Sequence, residues 1–90
     1  MTKPIRWSAE KNEQLKMDRG FGFEEIVATI ETKGLLADIP NLSKGYPHQR
    51  MLVVDLNGYA VGVPYAEDED KIFLKIAYRN RRLNKAYLKE

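Results

Sequence analysis

The chain has 90 residues, 43% hydrophobic and 31% charged, with a formal net charge of +2 and no cysteine. That length predicts a single domain over residues 1–90 with one modest core. The missing cysteine excludes a disulfide-stapled scaffold and a thiolate metal site, and fits a reducing cytoplasm. Met1-Thr2-Lys3-Pro4 leads into charged residues and no apolar run follows, so neither a signal peptide nor a membrane span is expected.

Ile5–Trp7 reads as a short strand at a sheet edge. Ser8 is a good N-cap for a first helix, since its hydroxyl can accept from an orphan backbone N–H. Lys11 at the third helical position rules out a reciprocal capping box. The helix is predicted to reach Arg19 and stop at Gly20, with Leu15 as its clearest inward residue. A second helix opens near Gly22, with Glu24 and Glu25 suited to the positive end of its dipole. Phe23, Ile26, Val27 and Ile30 share the spacing of one buried face, and Gly34 ends the helix.

Leu35–Ile39 is predicted as a strand closed by Pro40, followed by a turn-rich loop to Pro47. Gln49–Leu56 and Tyr59–Ala66 flank Asn57-Gly58, the strongest local signal for a two-residue type I′ hairpin. Glu67–Asp70 is the next turn and Lys71–Tyr78 the last strand. Asn80 can cap a C-terminal helix from Arg81 to about Lys89. The expected class is α+β: two N-terminal helices on a mainly antiparallel four-stranded sheet, with a C-terminal helix.

The Asn57-Gly58 turn makes the sheet faces readable. It sets Leu56 opposite Tyr59, Val54 opposite Val61 and Leu52 opposite Val63. Continued across the acidic turn, the register sets Tyr65 opposite Ile72 and Val63 opposite Leu74. These residues, with Ile76 and Tyr78, form the predicted core face under the first two helices. The other face carries Ala60, Gly62, Phe73 and Lys75, a shallow, basic and aromatic strip suited to a nucleic-acid backbone or an extended peptide. Pro64 cannot donate to a ladder, so a one-residue slip beyond Val63 would reverse the last strand.

Acids and bases nearly cancel up to Asp38, whereas the final twenty residues hold seven bases from Lys71 to Lys89 against Glu90. A basic C-terminal quarter points to a phosphate-rich or acidic partner. The single histidine, His48, has no partner signature, and the Glu67–Asp70 cluster lacks the spacing of a calcium loop. No Gly-rich phosphate loop, metal set or serine-nucleophile motif is present, so no cofactor or metal is expected. Cleavage of RNA by its own 2′-hydroxyl needs a proton acceptor, a proton donor and positive charge on the phosphate. Arg79-Asn80-Arg81-Arg82, at a strand end and helix start, can supply the charge.

Trp7, Lys11-Asn12, Arg19-Gly20 and Phe23-Glu24-Glu25 occur in an order that resembles the opening signature of the BrnT-type toxins of bacterial toxin–antitoxin pairs. The likeness extends to Asn80, Arg81 and Arg82, which match the family's small polar residue and paired basic positions. Two positions depart from the pattern: Arg19 stands where the family usually has His, and Asn84 where a small hydroxyl residue is common. The resemblance implies a RelE/ParE-like fold, a metal-independent endoribonuclease, a cognate antitoxin partner, RNA as substrate and a cytoplasmic location. Arg81 is the first candidate for phosphate stabilisation, with Tyr78 and His48 as candidates for proton transfer. Lys75, Arg79, Arg82 and Lys85 are the candidate RNA-binding residues. The alternative is a non-catalytic protein-interaction or RNA-binding module on the same fold.

Overall fold

A computed structural model describes residues 3–40 and 49–88 of the chain. The elements run β1 (Ile5–Trp7), α1 (Ala9–Arg19), α2 (Phe23–Glu31), β2 (Leu35–Pro40), β3 (Arg50–Leu56), β4 (Tyr59–Glu67), β5 (Ile72–Leu74), β6 (Tyr78–Arg79) and α3 (Arg81–Tyr87). The class is α+β, as expected, but the sheet has six strands and is mixed. Its order is β1-β5-β4-β3-β2, with β6 also on β4. The edge strand β1 runs parallel to β5, while every other pairing is antiparallel.

Local signals start and stop the first helix as the sequence dictates. Ser8 is extended and its hydroxyl accepts from Lys11 N at 3.2 Å. Gly20 takes the left-handed conformation at φ 80° and its N–H returns to Lys16 O. The corner into α2 is then held by one buried side chain. Asn12, 4% exposed, accepts from Phe23 N at 2.7 Å through Oδ1 and donates to Glu24 Oε2 at 2.9 Å through Nδ2. Glu25 Oε1 accepts from Gly22 N at 3.3 Å. A Cβ on Gly22 would lie 2.9 Å from Asn12 Oδ1, so the corner closes this tightly only on glycine. Trp7 stacks on the same corner, its ring centroid 5.7 Å from that of Phe23.

The second helix ends differently from expectation. Lys33 takes the left-handed conformation at φ 72°, not Gly34. Gly34 is required instead by close approach, because a Cβ there would overlap the Thr29 side chain and lie 2.8 Å from Thr29 O.

The Asn57-Gly58 turn is type I′, with φ 56° and 88° at its two residues. It sets Leu56 opposite Tyr59, Val54 opposite Val61 and Leu52 opposite Val63, as the sequence predicts. Across the acidic turn the register shifts by two residues: Glu67 faces Ile72 and Tyr65 faces Leu74. An even shift leaves side chains on their faces, so Ile72 and Leu74 remain in the core. The cause is the turn itself. Asp68 Oδ1 accepts from Asp70 N at 2.8 Å and Lys71 N at 2.9 Å, folding Asp68–Lys71 into the loop.

Leu15, Phe21, Phe23 and Ile26 pack on the inner face of the sheet, against Leu52, Val54, Val61, Val63, Tyr65 and Leu74. Val27 and Ile30, predicted as fully inward, are only partly buried. The opposite face departs from expectation. Ala60, Gly62 and Val53 are buried, not a shallow open strip, because α3 lies on β4 there. A Cβ on Gly62 would lie 2.9 Å from Met51 Sδ and 3.1 Å from Leu83 Cδ1, so glycine makes room for the helix. The expected loop after Pro40 and the candidate His48 lie outside the described residues.

Replacing Asn12 with alanine would leave the buried Phe23 N–H without its acceptor. Asn12→Ala is expected to lower stability by about 1–3 kcal/mol, measured by urea denaturation. An unchanged midpoint would show that the helix corner does not depend on this side chain.

Candidate phosphate-binding surface

The outer edge of β4 positions the basic C-terminal segment. Leu56 and Tyr59 flank the two-residue turn, so alternation along the hairpin makes Met51 and Pro64 a non-hydrogen-bonded pair. The Pro64 nitrogen therefore faces away from β3, where it has no N–H to offer the last strand. Lys75 N donates to Pro64 O at 2.9 Å, no bond returns, and the predicted Lys71–Tyr78 strand breaks into β5 and β6. Continuing the β5 register would set Val61 opposite Tyr78. Val61 instead faces Arg79, and Gly62 faces Tyr78. One extra residue has entered between Leu74 and Tyr78, which reverses the faces from there on.

The reversal corrects two core expectations. Ala77 turns into the core at 0% exposure, while Ile76 is only partly buried. Tyr78 moves to the α3 side of the sheet, where its phenol donates to Met51 Sδ at 3.4 Å. Arg79 moves to the α1 side. There it lines a recess of about 250 Å³ with Asp18, Arg19 and Phe21. Thus Arg79 and Tyr78, adjacent in sequence, serve opposite faces, and Arg79 joins Arg19 from sixty residues away.

The helix α3 is anchored by two asparagines. Asn80 N donates to Ala60 O at 3.2 Å, and Asn80 Oδ1 accepts from Leu83 N at 3.0 Å. Asn84 is 3% exposed and its Oδ1 accepts from Ala60 N at 2.9 Å. Side chain and backbone together thereby complete the edge of β4 where β6 stops. Asn84, which departs from the resembled pattern, has this structural task. With Asn84 and Leu83 turned to the sheet, Arg81, Arg82 and Lys85 are exposed.

Four basic residues among those described are held by acidic partners. Lys3 pairs with Glu67 at 2.7 Å, Arg50 with Asp38 at 3.0 Å, Lys71 with Asp68 at 3.1 Å, and Lys16 with Glu24 at 3.5 Å. The Asn12 hydrogen bond, then one from the Glu24 backbone, lowers the pKa of Glu24, with the Lys16 charge a lesser cause. Hydrogen bonds from Asp70 N and Lys71 N hold the Asp68 carboxyl down at about 2. Among the described residues, Arg19, Arg79, Arg81, Arg82 and Lys85 have no ion-pair partner. The Lys75 amine is 5.3 Å from the Phe73 ring centroid, a cation–π contact that leaves its charge available. Arg19 and Arg79, two unpaired guanidinium groups lining one recess, favour a dianionic or polyanionic ligand. No group of three or more His, Cys, Asp or Glu side chains among the described residues could hold a metal ion. Nor is any helix there long and apolar enough to cross a membrane.

A second polar cluster joins β2, β3 and β4, and sequence reasoning missed it. The Tyr65 phenol donates to the Asp38 carboxylate, 2.8 Å from each oxygen, and Arg50 Nε donates to Asp38 Oδ1 at 3.0 Å. Arg50 and Tyr65 are directly opposed, a pairing implicit in the Asn57-Gly58 register. Asp38 comes from β2, whose register no local signal reveals. Burial, then the hydrogen bond to Asp38, pushes the Tyr65 phenol up to about 12. Neutral phenol suits a bond to carboxylate and disfavours proton transfer near neutral pH, so the cluster is a clamp.

Two outcomes follow from these contacts. The Tyr65 pKa is raised on folding, so its contribution is fully present below the ordinary tyrosine value of roughly 10. It is lost as pH rises through about 12. Urea midpoints should therefore fall over that window, and Tyr65→Phe should flatten the fall. Equal slopes for the two proteins would exclude the clamp. Separately, Asn84→Ala should cost about 1–3 kcal/mol and speed hydrogen exchange at Ala60 N–H. Unchanged exchange there would mean that α3 is anchored by other contacts.

No known protein family, curated protein or solved structure matches the chain.

Proposed function

We propose that this chain is a small BrnT-like ribonuclease toxin of the cytoplasm, with a RelE/ParE-like fold, neutralised by a cognate antitoxin. The observation that carries the proposal is the segment in which Arg79, Arg81 and Arg82 form no ion pair and Arg79 shares a recess with Arg19 and Asp18. In that chemistry the RNA 2′-oxygen attacks the adjacent phosphorus, and the bond to the 5′-oxygen breaks. The 2′ proton leaves to a base and the 5′-oxygen gains one from an acid. Charge grows on the non-bridging phosphate oxygens as the new bond forms. Arginine stabilises that charge through paired, geometrically fixed N–H donors. Arg81 is assigned this task, with Arg79, Arg82, Lys75 and Lys85 holding the flanking backbone. Tyr78 and His48 are the proton-transfer candidates. Tyr78 would have to exchange its Met51 contact for substrate.

A second function is favoured by a specific observation. Of the residues that carry the resemblance, Trp7, Asn12, Gly20, Phe23, Glu24 and Glu25 each have a structural task at the helix corner. They form a signature of folding, compatible with a module that binds RNA or protein without cutting.

Incubating the purified protein with a mixed-sequence RNA separates the two functions. A ribonuclease releases fragments, and Arg81→Ala should slow release by about 10²–10³ at an unchanged melting temperature. Arg79→Ala should weaken RNA binding and lower its salt slope by about one. Lys33→Ala, at an exposed turn position beyond the end of α2, should change neither. Salt-dependent binding with no fragments would establish the non-catalytic module. Absence of both would remove RNA from the account.

A further inference from the structure

The apolar stripe of α2 is left unfinished by the packing of the described residues. Val27 and Ile30 are half-buried, as are Ile5 and Trp7 of β1. These four line a groove of about 520 Å³ between β1 and α2, rimmed by Lys3, Arg6 and Glu31. The groove runs beside a sheet edge that no other described strand pairs with. Ile72 N donates to Pro4 O at 2.9 Å, so alternation in the parallel ladder directs the Arg6 backbone to β5. The N–H and C=O groups of Ile5 and Trp7 then face outward. Among the described residues this edge is guarded by Arg6, whose Nη1 donates to its own Ile5 O at 3.1 Å.

We propose that β1 accepts one further strand, an extended segment of another polypeptide that carries a carboxylate opposite Arg6 and apolar residues on either side. A strand added to an edge lies about 4.8 Å away, with its alternate side chains on the same face as their cross-strand neighbours. Residues opposite Ile5 and Trp7 would therefore fall over Val27 and Ile30 and complete the half-covered stripe. The residue between them falls opposite Arg6, on the other face. Lys3 is engaged by Glu67 and the Asp68 carbonyl, which leaves Arg6 as the rim cation open to a carboxylate. A second copy of this chain is a poor occupant. Antiparallel pairing that joins Ile5 of one copy to Trp7 of the other sets Arg6 against Arg6 in a non-hydrogen-bonded pair, where side chains are closest. The groove and the arginine recess share no lining residue, so this interaction stands apart from the RNA proposal.

The test uses the full chain, labelled with ¹⁵N, and capped seven-residue peptides. The first peptide alternates valine with threonine and has a central glutamate. The second has lysine at the centre, and the third is the first with N-methyl groups on the amides that would bond to β1. Titration with the first should shift and protect the Ile5 and Trp7 amides and shift Val27 and Ile30. The N-methylated peptide should bind at least about tenfold more weakly, since pairing is main-chain. Arg6→Glu should weaken the glutamate peptide by a similar factor and favour the lysine peptide. No shift at millimolar peptide would overturn the proposal. So would equal binding of the N-methylated peptide, or shifts centred on β2, the opposite sheet edge. Self-association of the free chain with the same amide shifts would give the edge to a second copy and overturn it likewise.

Discussion

The absence of one N–H decides where the basic surface lies. Pro64 presents only a carbonyl to the last strand, and Lys75 N takes it. The ladder cannot continue through a position that lacks a donor, so the strand breaks and resumes one residue out of step. Because side chains alternate with period two, a single extra residue exchanges the two faces. Ala77 then fills the core, Tyr78 supports α3 and Arg79 reaches the C-terminal end of α1. Without that step Arg79 would stand on the α3 side, away from Arg19.

Three asparagines do the work of missing backbone partners. Asn12 supplies an acceptor for the first N–H of α2, Asn80 for the Leu83 N–H, and Asn84 for the Ala60 N–H. Each sits where one element ends and another begins, the places at which repeating ladders leave groups unsatisfied. A short chain with little apolar area to spare benefits from this economy, since a buried unpaired amide costs about as much as burying a small apolar side chain gains. Asn12 also accounts for the spacing of the opening segment. Asn12 must reach Phe23 N across the Gly20–Gly22 corner, and both glycines are set by geometry, one by φ and one by close approach.

The charges are arranged with equal economy. Acidic groups are drawn to Lys3, Lys16, Arg50 and Lys71, where they close turns and clamp strands. The corner formed by the end of α1, β6 and the start of α3 keeps its arginines unneutralised, apart from Asp18 in the recess. Free guanidinium groups held on rigid elements give a surface with low reorganisation on meeting an anion. That physical property underlies the proposed RNA function.

Local signals determined much of this protein from sequence alone. Ser8 and Gly20 bound α1, Asn80 starts α3, and Asn57-Gly58 fixes the hairpin to the residue. Each acts within a few residues, through capping bonds or a φ that few residues adopt, and so is legible without the fold. The C-terminal concentration of arginine was equally plain, as was the warning carried by Pro64. Tertiary structure decided what depends on partners distant in sequence. It placed Asp38 on Tyr65, Asn84 on Ala60, Arg79 beside Arg19, and α3 over the strip that looked open. It also left Val27 and Ile30 half covered, because β1 is only three residues long and no other described strand flanks it. Helical periodicity reports which residues share a face, but only the neighbouring elements determine how completely that face is buried.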